Sequence, residues 1–240
     1  MHFDIQKGLV ILINKPLEWT SFDAVNKMRY AIIKYLRHHN PELFEGRKYR
    51  PKVGHAGTLD PLATGLLIVC AGKETKNIES YMGMEKEYTG SFFLGATRPS
   101  YDNETEIDAI FETSHITEND ILTIAKKLTG ELEQMPPMYS AIKKDGKKSY
   151  EAARAGEEIK HDLRKIFIRE FEITKIEMPL VYFRIVCSKG TYIRSIAFDF
   201  GKALNSGGYL NSLCRTRIGE FKIEDATDVE DFVNSMQISK

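Results

Sequence analysis

The chain has no surplus of charge of either sign: its 240 residues carry 34 basic and 34 acidic side chains, a formal net charge of zero. A general electrostatic attraction to polyanions is excluded, although local basic patches are not. Long apolar runs are missing too. None approaches the roughly 18 residues of a membrane-spanning helix, and the N-terminal segment lacks a secretory-signal pattern, so a cytoplasmic protein with no membrane partner is expected. Cysteine is scarce. Cys70, Cys187 and Cys214 are odd in number and widely spaced, which argues against both a disulfide framework and a zinc site and leaves three idle thiols.

Several motifs fail. Gly65 to Gly72-Lys73 has the wrong spacing for a phosphate-binding loop, and Glu74 stands where the loop needs a hydroxyl. Asp102, Glu104, Glu106 and Asp108 alternate like calcium ligands but lack the required glycine, so they read as a solvated acidic loop. The six histidines never take H-x-x-x-H spacing. No metal site is expected.

What is present is an alternation of apolar strands with amphipathic helices. GLVILIN (8–14) reads as a buried strand. Thr20 and Ser21 are candidate caps for a helix carrying Val25, Met28, Ile32 and Leu36, and residues 37–52 read as a long basic loop containing Arg47, Lys48 and Arg50. LLIVCAG and EYTGSFFLG read as strands, and residues 116–129 as a helix with Thr117 and Asp120 as its capping pair. A basic excursion over residues 135–165 follows. KIFIREFEITKIEM and VYFRIVCS alternate as antiparallel strands do, IRSIAFDFGKAL reads as a helix and LCRTRIGEF as a last strand. The expectation is one α+β domain over residues 1–240, built on a mixed, largely antiparallel sheet flanked by helices.

Two segments stand out chemically. GHAGTLDPLATG (54–65) surrounds Asp60 and His55 with backbone-special residues directly before a buried strand. Taken alone, Asp60 is as good a turn starter as a catalytic carboxylate. SKGTYIRS (188–195) places Arg194 between a strand and a helix, where a guanidinium can grip a carboxylate in two-point fashion or serve as a surface ion pair.

Together with EKEYTGSFFLG, MPPMYSAIKKDGKKSYEAARAG, LCRTRIGEF and the opening GLVILINKPLEWTSFDAVNKMR, these segments follow the order seen in bacterial TruB-type tRNA pseudouridine synthases, which the chain resembles from about residue 8 to about 222. The resemblance implies the pseudouridine synthase fold and isomerisation of uridine 55 in the T-loop of tRNA, with no metal or organic cofactor. It makes Asp60 the catalytic carboxylate and has Arg194 pair with it. Tyr88 would stack on the flipped uracil, with Tyr192 and Leu213 completing the base and sugar pocket. His55 would enter the T-loop. The basic insertion, with Lys143, Lys144, Lys147 and Lys148, would clamp the RNA hairpin.

The chain departs from the resemblance in two places. The C-terminal RNA-binding domain of the PUA type is expected to be absent, and the 37–52 loop is longer than usual. A monomer with no obligatory protein partner is expected. The readings to be distinguished from it are a guide-dependent type of RNA pseudouridine synthase and a tRNA-folding chaperone without catalysis.

Overall fold

The computed structural model describes residues 7–46, 49–140, 143–144, 147–149 and 161–237. Its elements in chain order are β1 (Leu9–Lys15), α1 (Ser21–His39), β2 (Val53–His55), β3 (Ala63–Ala71), α2 (Ile78–Gly83), β4 (Lys86–Leu94), β5 (Ala96–Thr97), β6 (Ala109–Ile110), α3 (Glu118–Lys127), β7 (Gly130–Gln134), β8 (Lys143–Lys144), β9 (Lys147–Lys148), β10 (Arg164–Glu177), β11 (Leu180–Cys187), α4 (Ile193–Ala203), β12 (Gly208–Ile218), β13 (Phe221–Lys222), β14 (Thr227–Asp228) and α5 (Val229–Ser235). They fall into two compact units, one of residues 1–86 and 214–240, the other of residues 87–213. No helix among the described residues is long and apolar enough to cross a membrane.

In the first unit β3 is central. It pairs antiparallel with β1, from Leu9 opposite Ala71 to Lys15 opposite Gly65, and β2 adds His55 opposite Val69. β14 continues the sheet beyond β1 as a parallel neighbour. Successive side chains of a strand point to opposite faces, and β3 is covered on both. Leu67, Val69 and Ala71 pack with Met28 and Ile32 of α1 and Val229 and Phe232 of α5, while Leu66, Ile68 and Cys70 pack with Ala56 and Ile218. Burial on both faces is why LLIVCA reads as an unbroken apolar run.

Helix α1 starts on a reciprocal capping box. Thr20 Oγ1 accepts from the Asp23 amide at 3.0 Å, and Asp23 Oδ2 accepts from the Thr20 amide at 2.9 Å. The helix runs to His39 and is followed by a turn of 3-10 helix at Pro41–Phe44. The expected 37–52 loop is thus corrected at its start, because Arg37, His38 and His39 occupy the last helical turn, where the Arg37 charge complements the helix dipole. Arg47 and Lys48 lie outside the described residues.

In the second unit β4, β11, β10 and β7 lie side by side, with the first part of β12 on the other side of β4. β10 pairs antiparallel with both β11 and β7. Phe92, Phe171, Phe183 and Phe200 form its aromatic centre, Phe92 stacking on Phe183 at 4.2 Å between centroids. A parallel β1–β14 pair beside the antiparallel pairs β1–β3, β2–β3, β10–β11 and β7–β10 gives the mixed, largely antiparallel α+β architecture that the sequence implied. Within the basic insertion, β8 and β9 form a hairpin with Lys143 opposite Lys148 and Lys144 opposite Lys147. The side chains of these four lysines lie outside the described residues.

Candidate functional site

Asp60 lies on the turn between β2 and β3 in the first unit, and what fixes it is backbone. On its N-terminal side, Ser21 Oγ both accepts from the Leu59 amide at 2.8 Å and donates to the Leu59 carbonyl at 3.1 Å. On its C-terminal side, the Pro61 carbonyl accepts from the Glu18 amide at 2.8 Å and from Lys15 Nζ at 3.4 Å. The Asp60 carbonyl itself accepts from the Ala63 amide at 3.1 Å. A half-buried carboxylate is therefore presented on a turn whose two flanking residues are bolted to the segment 15–21. Ser21, weighed as a helix cap, is freed for this role because Thr20 caps α1.

Two buried cations support the same turn. Lys15 is fully buried and its ammonium donates to the carbonyls of Pro16 at 2.8 Å and Trp19 at 2.6 Å. Burial pulls its pKa down to about 8, against the attraction of Asp60, with the nearby Arg215 charge adding to the fall. Arg215, 1% exposed, donates from Nε to the Leu66 carbonyl at 2.8 Å and from Nη2 to the Gly57 carbonyl at 3.1 Å. One guanidinium thus ties together residues on either side of Asp60. Gly65 lets that approach happen: its φ is +105°, and a Cβ there would sit 2.4 Å from the Arg215 carbonyl oxygen.

His55 ends β2 and so is strand-held, where the sequence suggested a loop. Its Nδ1 is buried and has no hydrogen-bond partner among the described residues. Burial lowers its pKa, the Arg215 charge lowers it further, and a backbone hydrogen bond with Gly57 opposes both. Burial and the Arg215 charge thus both favour the neutral ring.

In the second unit Arg194 occupies the first turn of α4, 4% exposed. A cation there opposes the helix dipole, and the structure supplies the counter-charge: Arg194 Nε lies 3.6 Å from Asp102 Oδ2, and Nη1 donates to the Ser100 carbonyl at 3.3 Å. Asp102 is 6% exposed, which corrects its assignment to a solvated acidic loop; Glu104, Glu106 and Asp108 are the exposed members. Tyr192 is the N-cap of α4, so the strand does not continue to it and it shares no strand face with Arg194. Its amide donates to Gln134 Oε1 at 2.8 Å, and Gln134 Nε2 donates to its carbonyl at 3.1 Å. Tyr88 lies on β4, 9% exposed, next to Glu87, which binds Arg184 at 2.8 Å. Leu213 is half-buried on β12.

The six expected site residues outside the insertion thus divide between the units. Asp60 and His55 belong to the first, Tyr88, Tyr192, Arg194 and Leu213 to the second. The supports that sequence reasoning missed are Lys15, Ser21, Asp102 and Arg215. Nothing in one dimension marks a lysine or arginine as buried, and Asp102 was hidden among its acidic neighbours.

Comparison with known proteins places these residues in a family. The family model described as TruB family pseudouridylate synthase, N-terminal domain, matches residues 45–193. The tRNA pseudouridine synthase B of Flavobacterium johnsoniae is 54% identical over 231 residues, covering 96% of this chain and 97% of that protein. That of Chlorobaculum tepidum is 43% identical over 232 residues, covering 96% and 92%. Among solved structures, a chain of a Cbf5-Nop10-Gar1 complex matches with a TM-score of 0.68 at 30% identity over 96% of this chain and 54% of its own, so the present chain spans about half its length. A chain of an H/ACA RNP bound to a substrate RNA containing 2'-deoxyuridine matches with a TM-score of 0.62 at 26% identity over 96% of this chain and 53% of its own. With a family model matched over more than half of its residues and relatives this similar along their whole length, the chain belongs to the TruB family of pseudouridylate synthases.

Proposed function

We propose that the chain isomerises uridine to pseudouridine at position 55 in the T-loop of tRNA, in the cytoplasm, acting as a monomer without guide RNA, metal or organic cofactor. The observation that carries this reading is Asp60: an aspartate on a turn clamped from both sides, in a chain 54% identical over nearly its full length to a tRNA pseudouridine synthase B. The N1–C1′ bond breaks, C1′ re-forms a bond to C5, the C5 proton leaves and N1 gains one, so mass is unchanged. Asp60 supplies the carboxylate that promotes the glycosidic cleavage. The base must leave its stack to be reached.

The remaining residues take the parts that the resemblance gives them. A neutral imidazole at His55 suits insertion among bases, since it stacks without the desolvation cost of a charge. Tyr88 contributes a ring for the flipped uracil, with Tyr192 and Leu213 at the pocket wall. Arg194, oriented by Asp102, partners the carboxylate of Asp60 in the family's arrangement. Lys143, Lys144, Lys147 and Lys148 contact phosphates of the hairpin.

The test is release of tritium from T-stem-loop RNA labelled at uridine C5. Turnover by wild type and none by Asp60→Asn is the expected result. A chaperone without catalysis releases no tritium even as wild type, and that outcome removes the proposal.

A further inference from the structure

A second feature of the first unit has no part in this chemistry. A cleft of about 680 Å³ opens between α1, the segment 50–54 that leads into β2, and the start of α2. Arg29, Arg50 and Lys52 line it together with Asn26, Tyr30 and Thr75, and among the described residues no carboxylate does. In a chain whose charges balance at 34 and 34, three cations around one concavity without an acid make a local positive site.

Two of the cations sit on fixed supports. Arg29 is half-buried; its Nη1 donates to Asn26 Oδ1 at 2.8 Å and its Nη2 to the Val53 carbonyl at 3.0 Å. Two bonds thereby set the plane of a group with five donors. The backbone of Lys52 is held where its carbonyl accepts from the Gly72 amide at 2.9 Å, and Val53 is paired with Ala71. Arg50 and Lys52 themselves are exposed. Tyr30, 77% exposed, stands at the rim, and Phe22, 59% exposed, lies 6.0 Å from the Arg29 guanidinium. A single exposed ring is ordinary on a protein surface; here Tyr30 lines the same cleft as the three cations. Cations interleaved with an open aromatic face are what a nucleotide chain requires: a charge for each phosphate and a flat surface for a base.

We propose that this cleft binds the tRNA substrate through two or three backbone phosphates, held by Arg29, Arg50 and Lys52, with one unpaired base stacked on Tyr30. The inference rests on the reading of the chain as a tRNA-modifying enzyme, and it extends that reading to a surface beside His55, since Val53 and Gly54 of the same strand form part of the cleft wall.

The test is the affinity of intact tRNA as a function of salt. Removing the cation that neutralises one phosphate flattens the slope of log affinity against log salt by about 0.7–0.9. Arg50→Gln/Lys52→Gln should flatten it by about one and a half units, and adding Arg29→Gln should bring the change to between two and three. The double variant keeps the decision independent of Arg29, whose loss also removes the bond to Val53; thermal melting checks that each variant folds. Tyr30→Ala should weaken binding about tenfold with the slope unchanged, because stacking releases no counterions, and Tyr30→Phe should bind like wild type. Slopes equal to wild type in both charge variants overturn the phosphate site, and wild-type affinity in Tyr30→Ala overturns the stack. Tritium release by wild type is measured in parallel: tRNA bound without release sinks the proposed activity, while the slopes still decide the cleft.

Discussion

Replacing Arg215 by Met should both destabilise the protein and loosen the turn that carries Asp60. The side chain is almost wholly buried and makes two hydrogen bonds from a charged donor, to Leu66 and Gly57. Bonds to charged groups contribute about 1.5–3 kcal/mol each, and a carbonyl stranded without its donor costs in the same range. Removing a buried cation returns part of its desolvation cost. The net expectation is about 3–4 kcal/mol, which for a chain of this size lowers the melting temperature by roughly 10 °C. Arg215→Lys keeps the charge but reaches only one carbonyl, so its loss should be about half as large. Urea titration gives the free energies. Hydrogen exchange of peptides covering residues 56–66 reports the turn, where the Ala56 amide bonds to the Ile68 carbonyl and that of Ala63 to the Asp60 carbonyl. A destabilisation below about 1 kcal/mol with unchanged exchange would refute the claim that Arg215 holds the turn.

Further expectations can be checked separately. Asp60→Asn should bind the T-stem-loop within a few-fold of wild type and show no detectable tritium release; activity within about tenfold of wild type would remove Asp60 from the chemistry. Arg194→Lys should lower turnover on the order of a hundredfold despite its charge, since an ammonium cannot hold Asp102 and the Ser100 carbonyl with one planar fork; near-normal rates would show that the grip is dispensable. Lys15 predicts a pH dependence. Its pKa is about 8 folded and 10.5 in the ordinary case, so between those values the unfolded chain holds more protons and stability rises with pH; below about 8 the burial cost is felt in full. The stability of wild type relative to Lys15→Met should climb by about 2 kcal/mol from roughly pH 8 to 10, and a flat difference would contradict the burial argument. Replacing Lys143, Lys144, Lys147 and Lys148 by Gln should flatten the salt slope of tRNA affinity by roughly two to three units, and an unchanged slope would place the RNA elsewhere.

How much of this was legible in the sequence depended on the physics involved. Apolar periodicity located β1, β3 and α1, because a buried face leaves a pattern in one dimension. The same criterion stopped α1 at Leu36, since its last turn is polar and exposed and is favoured by charge placement instead. β7 escaped because GELEQ is a mostly polar strand paired with β10. The C-terminal stretch carried no motif, yet β14 and α5 complete the first unit, with Val229, Phe232 and Met236 in its core. Asp60 and Arg194 were conspicuous through their neighbours, whereas Asp102 and Arg215 act on partners distant in the chain: Arg215 reaches Leu66 across 149 positions.

The bonds from Ser21 to Leu59 and from Glu18 to Pro61 have an evolutionary corollary. They tie residues 18–21 to residues 59–61, and between these points α1 packs into the core and β2 pairs with β3, so that the excursion from α1 to β2 is tied at both ends. The entropy of tying such a loop grows only with the logarithm of its length. Residues can therefore be added to or removed from the excursion after α1 at little thermodynamic cost, without Asp60 moving. That excursion is where the cations of the proposed cleft, Arg50 and Lys52, can change while Asp60 keeps its place.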